Sequence, residues 1–191
     1  MIFCKSIAVT FEKIEPNRWE TAHHTAILAS SGSKNIARIL SVNSSLTRFL
    51  EKQYHMPLQL VLQEQFVHCF NKDEAQLLQC KEGQPCLRRQ VSLAHQGITM
   101  FDAESVLPLE DLSVTLMSDL QNGEIPLGHL LSNCGLSLSR SDLSFSQVMC
   151  HQQQRWARRS ILRSFSGASA LVSEYFCPEM WAWIQKNTPK T

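Results

Sequence analysis

The chain has 191 residues, of which 43% are hydrophobic and 18% are charged, and its formal net charge at pH 7 is +1. A chain of this length fits one large domain, and we expect residues 1–191 to form a single domain. The near-zero charge gives no support for a nucleic-acid partner. No apolar run approaches the ~18 residues of a membrane span, and the N-terminus lacks the apolar stretch of a signal peptide. We therefore expect a cytoplasmic monomer that does not insert stably into a membrane.

The cysteines and histidines show no pattern of a metal site. Seven cysteines are scattered along the chain without a CxxC pair, which is typical of reduced and mostly buried thiols. The one histidine pair, His23-His24, has no cysteine or acidic cluster near it in sequence, so we expect it at the surface. Phosphate-binding and dinucleotide-binding glycine motifs are also missing from the sequence. The sequence therefore predicts neither a metal nor an organic cofactor.

The first third of the chain predicts two short helices followed by a strand. Apolar residues at helical spacing indicate a helix over 34–42. The Ser44-Ser45 pair offers an N-cap for a second helix that begins at Leu46. Apolar residues that alternate with mostly polar residues then predict a strand over 58–66. Glu64 falls on the apolar face of that strand, as a strand-end charge or as a residue of a pocket.

The rest of the chain predicts further strands and a few helices. The polar stretch 71–85 is predicted to be a loop or flap with one turn of helix. A hairpin is predicted around Gln96-Gly97, a pair that favours a tight turn. The other predicted elements are strands over 87–94, 98–107, 137–148, 155–165 and 170–177, and helices over 109–120 and 126–131. Five or six mostly antiparallel strands with a few helices indicate an α+β fold.

Two charged residues lie on strand faces that are otherwise apolar. Arg89 shares a face with Leu87, Val91 and Leu93, and Glu174 shares a face with Val172 and its neighbours. A charge on an apolar face is costly unless it is paired or contacts a ligand. The two residues therefore indicate a small buried polar pocket. The alternatives are that they pair with each other, or that both faces point to solvent.

A collinear series of short motifs resembles a known family. The motifs, in chain order, are Ser45-Leu46-Thr47, Leu87-Arg88-Arg89, Gly97, Ala103-Glu104-Ser105-Val106-Leu107-Pro108, Pro126-Leu127-Gly128, Trp156-Ala157-Arg158-Arg159-Ser160 and Ser173-Glu174-Tyr175-Phe176 with Pro178. In order and spacing they resemble the bacterial chorismate pyruvate-lyase family. The resemblance covers about residues 35–181 and leaves 1–34 as an N-terminal extension.

The resemblance implies a fold, an activity and four site residues. The family has a six-stranded antiparallel sheet with helices on one side and flap elements over an internal pocket. It converts chorismate to 4-hydroxybenzoate and pyruvate without a cofactor, which supplies the ring precursor of ubiquinone. By the resemblance, Arg89 binds the ring carboxylate, the backbone amide of Leu127 assists it, and Leu46 lines the pocket. Glu174 addresses the ring hydroxyl, either as a proton carrier or only as a positioning group.

The sequence departs from the family pattern at one position, and two other functions are compatible with the same fold. Glu104 stands where the family usually has arginine, and by alternation it lies either on a harmless outer face or along an anion path. A ligand sensor is one alternative, because effector domains of GntR-type regulators share the fold. The residues ahead of the matched region are too few for the DNA-binding domain of such a regulator. The other alternative is an aromatic-acid carrier that keeps the pocket without turnover.

Overall fold

A computed structural model of the chain describes residues 19–122, 127, 138–150, 153–164 and 169–188. The strands are β1 Glu20–Thr21, β2 Gln59–Cys69, β3 Pro85–His95, β4 Ile98–Pro108, β5 Leu138–Cys150, β6 Gln153–Ser164 and β7 Ser169–Phe176. The helices are α1 His24–Ser31, α2 Lys34–Leu40, α3 Leu46–Tyr54, α4 Lys72–Leu78, α5 Val114–Asn122 and α6 Pro178–Asn187. Helices and antiparallel strands therefore occupy most of the described chain.

All seven strands join one antiparallel sheet in the order β1-β5-β6-β7-β4-β3-β2. The predicted α+β class and antiparallel sheet are confirmed. The strand beyond the six expected is β1, which has two residues and pairs with β5 at Phe145 and Ser144. The second strands of the two sequence-predicted hairpins, β4 and β7, pair with each other, which places β3, β4, β7 and β6 side by side.

The turn between β3 and β4 has the geometry that its sequence predicts. Gln96 and Gly97 both have positive φ, at 51° and 78°. Two consecutive left-handed residues make a tight hairpin turn whose twist matches that of the strands, and glycine tolerates this conformation without steric cost. The turn fixes the β3–β4 register, which sets Arg89 opposite Ser105.

Helix α3 begins where the serine pair predicts. The Ser45 hydroxyl accepts a hydrogen bond from the backbone N–H of Arg48 at 3.5 Å, which caps the first turn. Leu46, Leu50 and Tyr54 then follow at helical spacing and are buried. Helix α3 therefore packs a continuous apolar stripe against the sheet.

Most of the helices cover one face of the sheet, which we call the inner face and which carries Leu87, Val91 and Leu93. A large cluster combines α1, α2, α3 and α6 with this face and includes Ile27, Leu40, Leu50, Phe101, Phe176 and Ile184. A second cluster combines α5 with the same face and includes Leu87, Leu107, Leu116, Leu120, Leu127 and Val172. The two clusters leave a strip of sheet between them, and the candidate site lies there.

Helix α4 packs on the opposite face, which we call the outer face. Its Ala75 and Leu78 belong to one buried cluster with Cys86, Val106 and Leu171. The sequence predicted one turn of helix within a loop or flap over 71–85, and α4 is longer than that, with seven residues. Asn71 and Glu74 form a capping box in which each side chain accepts a hydrogen bond from the backbone N–H of the other residue, at 2.9 and 3.1 Å.

Strand β2 contains an irregularity that moves Glu64 away from its predicted face. Leu62 pairs with Val91, but the next paired residue is Glu64, which lies opposite Gln90. The extra residue is a β-bulge, which shifts the alternation by one position. Glu64 is therefore exposed on the outer face, and the prediction that it shares the apolar face was wrong.

Two predicted features fall on residues that the structure does not describe. These are the helical stretch over 126–131, apart from Leu127, and the turn around Ser166-Gly167. Strands β6 and β7 on either side of that turn pair as predicted, from Ala157 opposite Tyr175 to Arg163 opposite Ser169. Within the described ranges, no helix has the length and apolar character needed to cross a membrane.

Candidate active site

Six polar side chains lie next to one another on the inner face, between the two apolar clusters. We call them the polar band, and they are Arg89, Ser105, Arg140, Arg158, Ser160 and Glu174. Arg158 is fully buried, and Arg89 and Glu174 keep 1% and 5% of their surface. Burial of this many polar groups is unfavourable unless they bind one another or a ligand. The polar band is therefore the best candidate for the functional site.

Arg89 and Glu174 lie on the same face, two strands apart. Arg89 pairs with Ser105, and Glu174 pairs with Ala103 two residues along the intervening strand β4. The strand spacing and rise then separate their Cα atoms by roughly 12 Å. The predicted burial of both side chains is confirmed. The space between the two side chains on the inner face is about the size of one six-membered ring with its substituents.

The carboxylate of Glu174 binds Arg158. The Arg158 guanidinium donates from Nε to Oε2 and from Nη2 to Oε1, the latter at 3.2 Å. Burial acts to raise the pKa of Glu174, but the positive charges of Arg158 and Arg140 outweigh it and lower this pKa below its ordinary value. Glu174 is therefore ionised at neutral pH and acts as a hydrogen-bond acceptor.

Arg158 also holds the helical layer. Its Nη1 donates to the backbone carbonyls of Val42 and Ile39, at 2.8 and 3.4 Å. These carbonyls belong to the end of α2 and the connection that follows, where helical carbonyls lack partners of their own. All three nitrogens of this guanidinium therefore have acceptors, so Arg158 positions Glu174 and the helices over the band.

Arg140 approaches Glu174 from the other side. Its Nη1 donates to the Ser160 hydroxyl and lies 3.8 Å from Oε2 of Glu174. Burial, opposed by Glu174 and reinforced by Arg158, lowers the pKa of Arg140 to about 10. Arg140 is still protonated at neutral pH. The polar band thus holds three guanidinium groups and one carboxylate, a net charge of +2.

Arg89 occupies the end of the band nearest the α5 cluster. It lies in one row of the sheet with Ser105 and Val172, and Val172 belongs to that cluster together with Leu127. Burial lowers the pKa of Arg89 from its ordinary value. An arginine keeps its charge under such a shift and can bind a carboxylate with two parallel N–H donors. Arg89 is therefore suited to one anionic group of a small ligand.

Leu46 and Leu127 flank the band from opposite sides. Leu46 is the first residue of α3 and is buried in the large cluster, which also contains Val91 and Ala103 of the Glu174 row. Leu127 is buried with Leu87 and Val172 beside the Arg89 row. The structure thus brings all four sequence-predicted site residues to one face. Their roles towards a ligand stay predictions.

Glu104 lies on the outer face, away from the band. Its carboxylate accepts a hydrogen bond from Nη1 of Arg88, whose Nη2 binds Glu74 of α4 at 2.8 Å. The charge of Glu104 is thus compensated by a neighbouring arginine on the same face. Of the two predicted positions for Glu104, the outer face is the one observed.

Sequence reasoning missed Arg140 and Arg158. Arg158 stands next to Arg159, and two adjacent arginines in a nearly neutral chain are typical of a solvated basic patch. Alternation from Trp156 through Arg158 to Ser160 would have placed it inward, because Arg159 lies on the outer face over the ring of Trp19. Arg140 lies beside a bulge between Ser141 and Ser144, which disrupts the periodicity of β5. No group of three or more possible metal ligands occurs among the described residues.

A family model described as chorismate lyase matches residues 18–186 of the chain. The match spans every strand and nearly all of α6. It includes Leu46, Arg89, Leu127 and Glu174, and also Arg140 and Arg158. A search of curated proteins finds no match to the sequence.

Several solved structures of bacterial proteins have a similar fold. The crystal structure of PhnF from Mycobacterium smegmatis superposes with a TM-score of 0.59 at 11% identity, over 79% of this chain and 68% of that chain. Its effector domain alone superposes with a TM-score of 0.57 at 11% identity, over 71% of this chain and 89% of that chain. A GntR-family transcriptional regulator from Enterococcus faecalis superposes with a TM-score of 0.53 at 15% identity, over 63% of this chain and 94% of that chain. At these identities the similarity shows the fold alone.

Proposed function

The chain belongs to the chorismate lyase family, and we propose that it converts chorismate into 4-hydroxybenzoate and pyruvate. The observation that carries the proposal is the buried pair of opposite charges at the two ends of the polar band, Arg89 and the ionised Glu174. A para-substituted ring with a carboxylate at one end and a hydroxyl at the other presents the complementary groups. The band thus matches the product, and the enolpyruvyl group is the part of chorismate that leaves.

Each predicted site residue then has one task. The guanidinium of Arg89 binds the ring carboxylate with paired donors, and the backbone N–H of Leu127 donates to the same carboxylate. Glu174 accepts a hydrogen bond from the ring hydroxyl, while Arg158 holds its carboxylate in place. Leu46 packs against the ring from the helical side. These contacts orient the substrate in a site from which water is largely excluded.

The reaction needs orientation and charge stabilisation. The ether bond between the ring and the enolpyruvyl group breaks, and the neighbouring ring carbon, which bears the hydroxyl, loses its hydrogen as a proton. A proton reaches the methylene carbon of the leaving group, which becomes pyruvate, and the ring becomes aromatic. Negative charge builds on the leaving group, where fixed positive charges stabilise it. We propose that no metal or organic cofactor takes part and that the product serves ubiquinone synthesis in the cytoplasm.

The test is a stoichiometric assay on the purified protein. Incubation with chorismate is expected to yield equal amounts of 4-hydroxybenzoate and pyruvate, both with and without a chelator. The Arg89→Gln variant, with an unchanged melting temperature, serves as the control for chemistry outside the site. Tight binding of 4-hydroxybenzoate without any release of pyruvate would instead indicate a non-catalytic binding or sensing protein of the same fold.

A further inference from the structure

Glu174 does not need Arg140 as a hydrogen-bond partner. Both oxygens of Glu174 already accept hydrogen bonds from Arg158. Arg140 adds a second positive charge 3.8 Å from the same carboxylate. Its side chain is only 9% exposed, and a buried charge of this kind carries a desolvation cost. A second arginine in this position is better explained by a second anionic group that joins the site.

The charge around Glu174 supports the same conclusion. Arg140 and Arg158 against Glu174 leave a net charge of +1 among these three described side chains. A carboxylate of a ligand beside Arg140 would neutralise this excess. Chorismate carries two carboxylates, one on the ring and one on the enolpyruvyl group, so it has a second one to offer at this position.

The position of Arg140 agrees with the position of the second carboxylate. The enolpyruvyl ether is attached to the ring carbon next to the one that bears the hydroxyl. If the hydroxyl contacts Glu174, the enolpyruvyl group lies on the Glu174 side of the ring. Arg140 reaches this side from β5, where its Nη1 contacts Ser160 and Glu174. The adjacent bulge between Ser141 and Ser144 bends β5 there, and bulges of this kind re-aim side chains next to sites.

We propose that Arg140 binds the enolpyruvyl carboxylate of the substrate, a contact that the monoanionic product lacks. The inference rests on the proposed function. Arg158 has no such role, because its nitrogens are occupied by Glu174 and by the carbonyls of Val42 and Ile39. Loss of pyruvate removes the ligand of Arg140, so Arg140 contributes to binding of the substrate and not to binding of the product.

Calorimetry on two ligands tests this assignment. One ligand is 4-hydroxybenzoate, and the other is its stable analogue that carries an enolpyruvyl ether at the neighbouring ring carbon. Arg140→Gln is expected to weaken binding of the dianionic analogue by about tenfold or more, and binding of 4-hydroxybenzoate by less than about threefold. The KM for chorismate should rise by the same factor as the affinity for the analogue falls.

Two further variants keep the test decisive. Arg163→Gln removes one charge from the outer face of β6, where Arg163 donates to the carbonyl of Leu77 at 3.5 Å, and it is expected to leave both affinities unchanged. Arg140→Lys keeps the charge without the paired donors and should show a smaller but equally selective loss, so it replaces Arg140→Gln if that variant does not fold.

The outcomes separate the two proposals. Equal losses for the two ligands, or no loss for the dianion, would overturn the role of Arg140 and leave the proposed function intact. A wild-type protein that binds both ligands but releases no pyruvate from chorismate contradicts the proposed function alone. A wild-type protein that binds neither ligand contradicts both.

Discussion

Arg158 and Glu174 form a buried ion pair in which one guanidinium donates to both oxygens of one carboxylate. The pair connects β6 to β7 at a point where Arg158 is fully buried. Removal of one partner would leave the other as an uncompensated buried charge. The stability of the fold and the order of the polar band therefore depend on the same contact.

The first prediction concerns the stability that this pair provides. Arg158→Met should lower the free energy of unfolding by about 3–5 kcal/mol, because Glu174 loses its main partner while buried. The double variant Arg158→Met/Glu174→Gln should cost less than the sum of the single variants. Urea denaturation measures all three. Arg159→Met is the matched control on the outer face and should cost about 1 kcal/mol or less; a comparable loss in that variant would contradict the assignment.

The second prediction concerns pH. The pKa of Glu174 is lowered in the folded protein, so the unfolded chain binds the proton more readily. Its stabilising contribution is complete above the ordinary glutamate pKa of ~4.3 and is lost as the pH falls through the lower folded value. The stability difference between wild type and Glu174→Gln should therefore shrink in acid. Denaturation across that pH range measures it, with exposed Glu64→Gln as a control that should follow wild type; a pH-independent difference would refute the lowered pKa.

The third prediction separates two neighbouring arginines. Arg89→Gln should weaken 4-hydroxybenzoate binding by at least ~2 kcal/mol, because it removes the partner of the ring carboxylate. Arg88→Gln should reduce stability, because Arg88 binds Glu74 and Glu104 on the outer face, but should not change the affinity. Calorimetry and thermal melting of the two folded variants decide it. Unchanged affinity in Arg89→Gln would remove Arg89 from the site.

The fourth prediction concerns the residue that departs from the family. Glu104→Gln should leave kcat and KM for chorismate unchanged, since Glu104 faces away from the polar band. Glu104→Arg should lower the melting temperature, because it places a like charge beside Arg88. Steady-state kinetics at low and high salt provide the check. A salt-dependent change in kcat of either variant would place Glu104 on an anion path after all.

The alternation of inward and outward residues along two strands made part of the site predictable. Arg89 and Glu174 lie in regular stretches of β3 and β7, whose inner faces carry apolar residues on either side of them. Each charge was therefore conspicuous in the sequence, and burial on one shared face is observed for both. Leu46 follows a serine cap, and its predicted helix start is also confirmed. Strand alternation and helix capping were sufficient to predict these residues because no bulge disturbs the alternation around them.

Bulges and neighbouring charges concealed the remaining features. One extra residue in β2 sends Glu64 to the outer face, and one-residue shifts of this kind cannot be read from composition. The bulge in β5 concealed Arg140 in the same way. Arg158 was obscured by Arg159, since two adjacent arginines suggest a solvated patch although they point to opposite faces. Helix α4 carried its Asn71–Glu74 capping signal, but its polar composition favoured a loop.

The bonds from Arg158 to the carbonyls of Ile39 and Val42 have a consequence for hydrogen exchange. The α2–α3 connection can separate from the sheet only if a buried guanidinium gives up two of its acceptors. Local opening of this connection and loosening of the Glu174 carboxylate are therefore coupled events. A ligand that fixes Glu174 should slow exchange of the backbone amides over residues 39–46, although those amides need not touch the ligand.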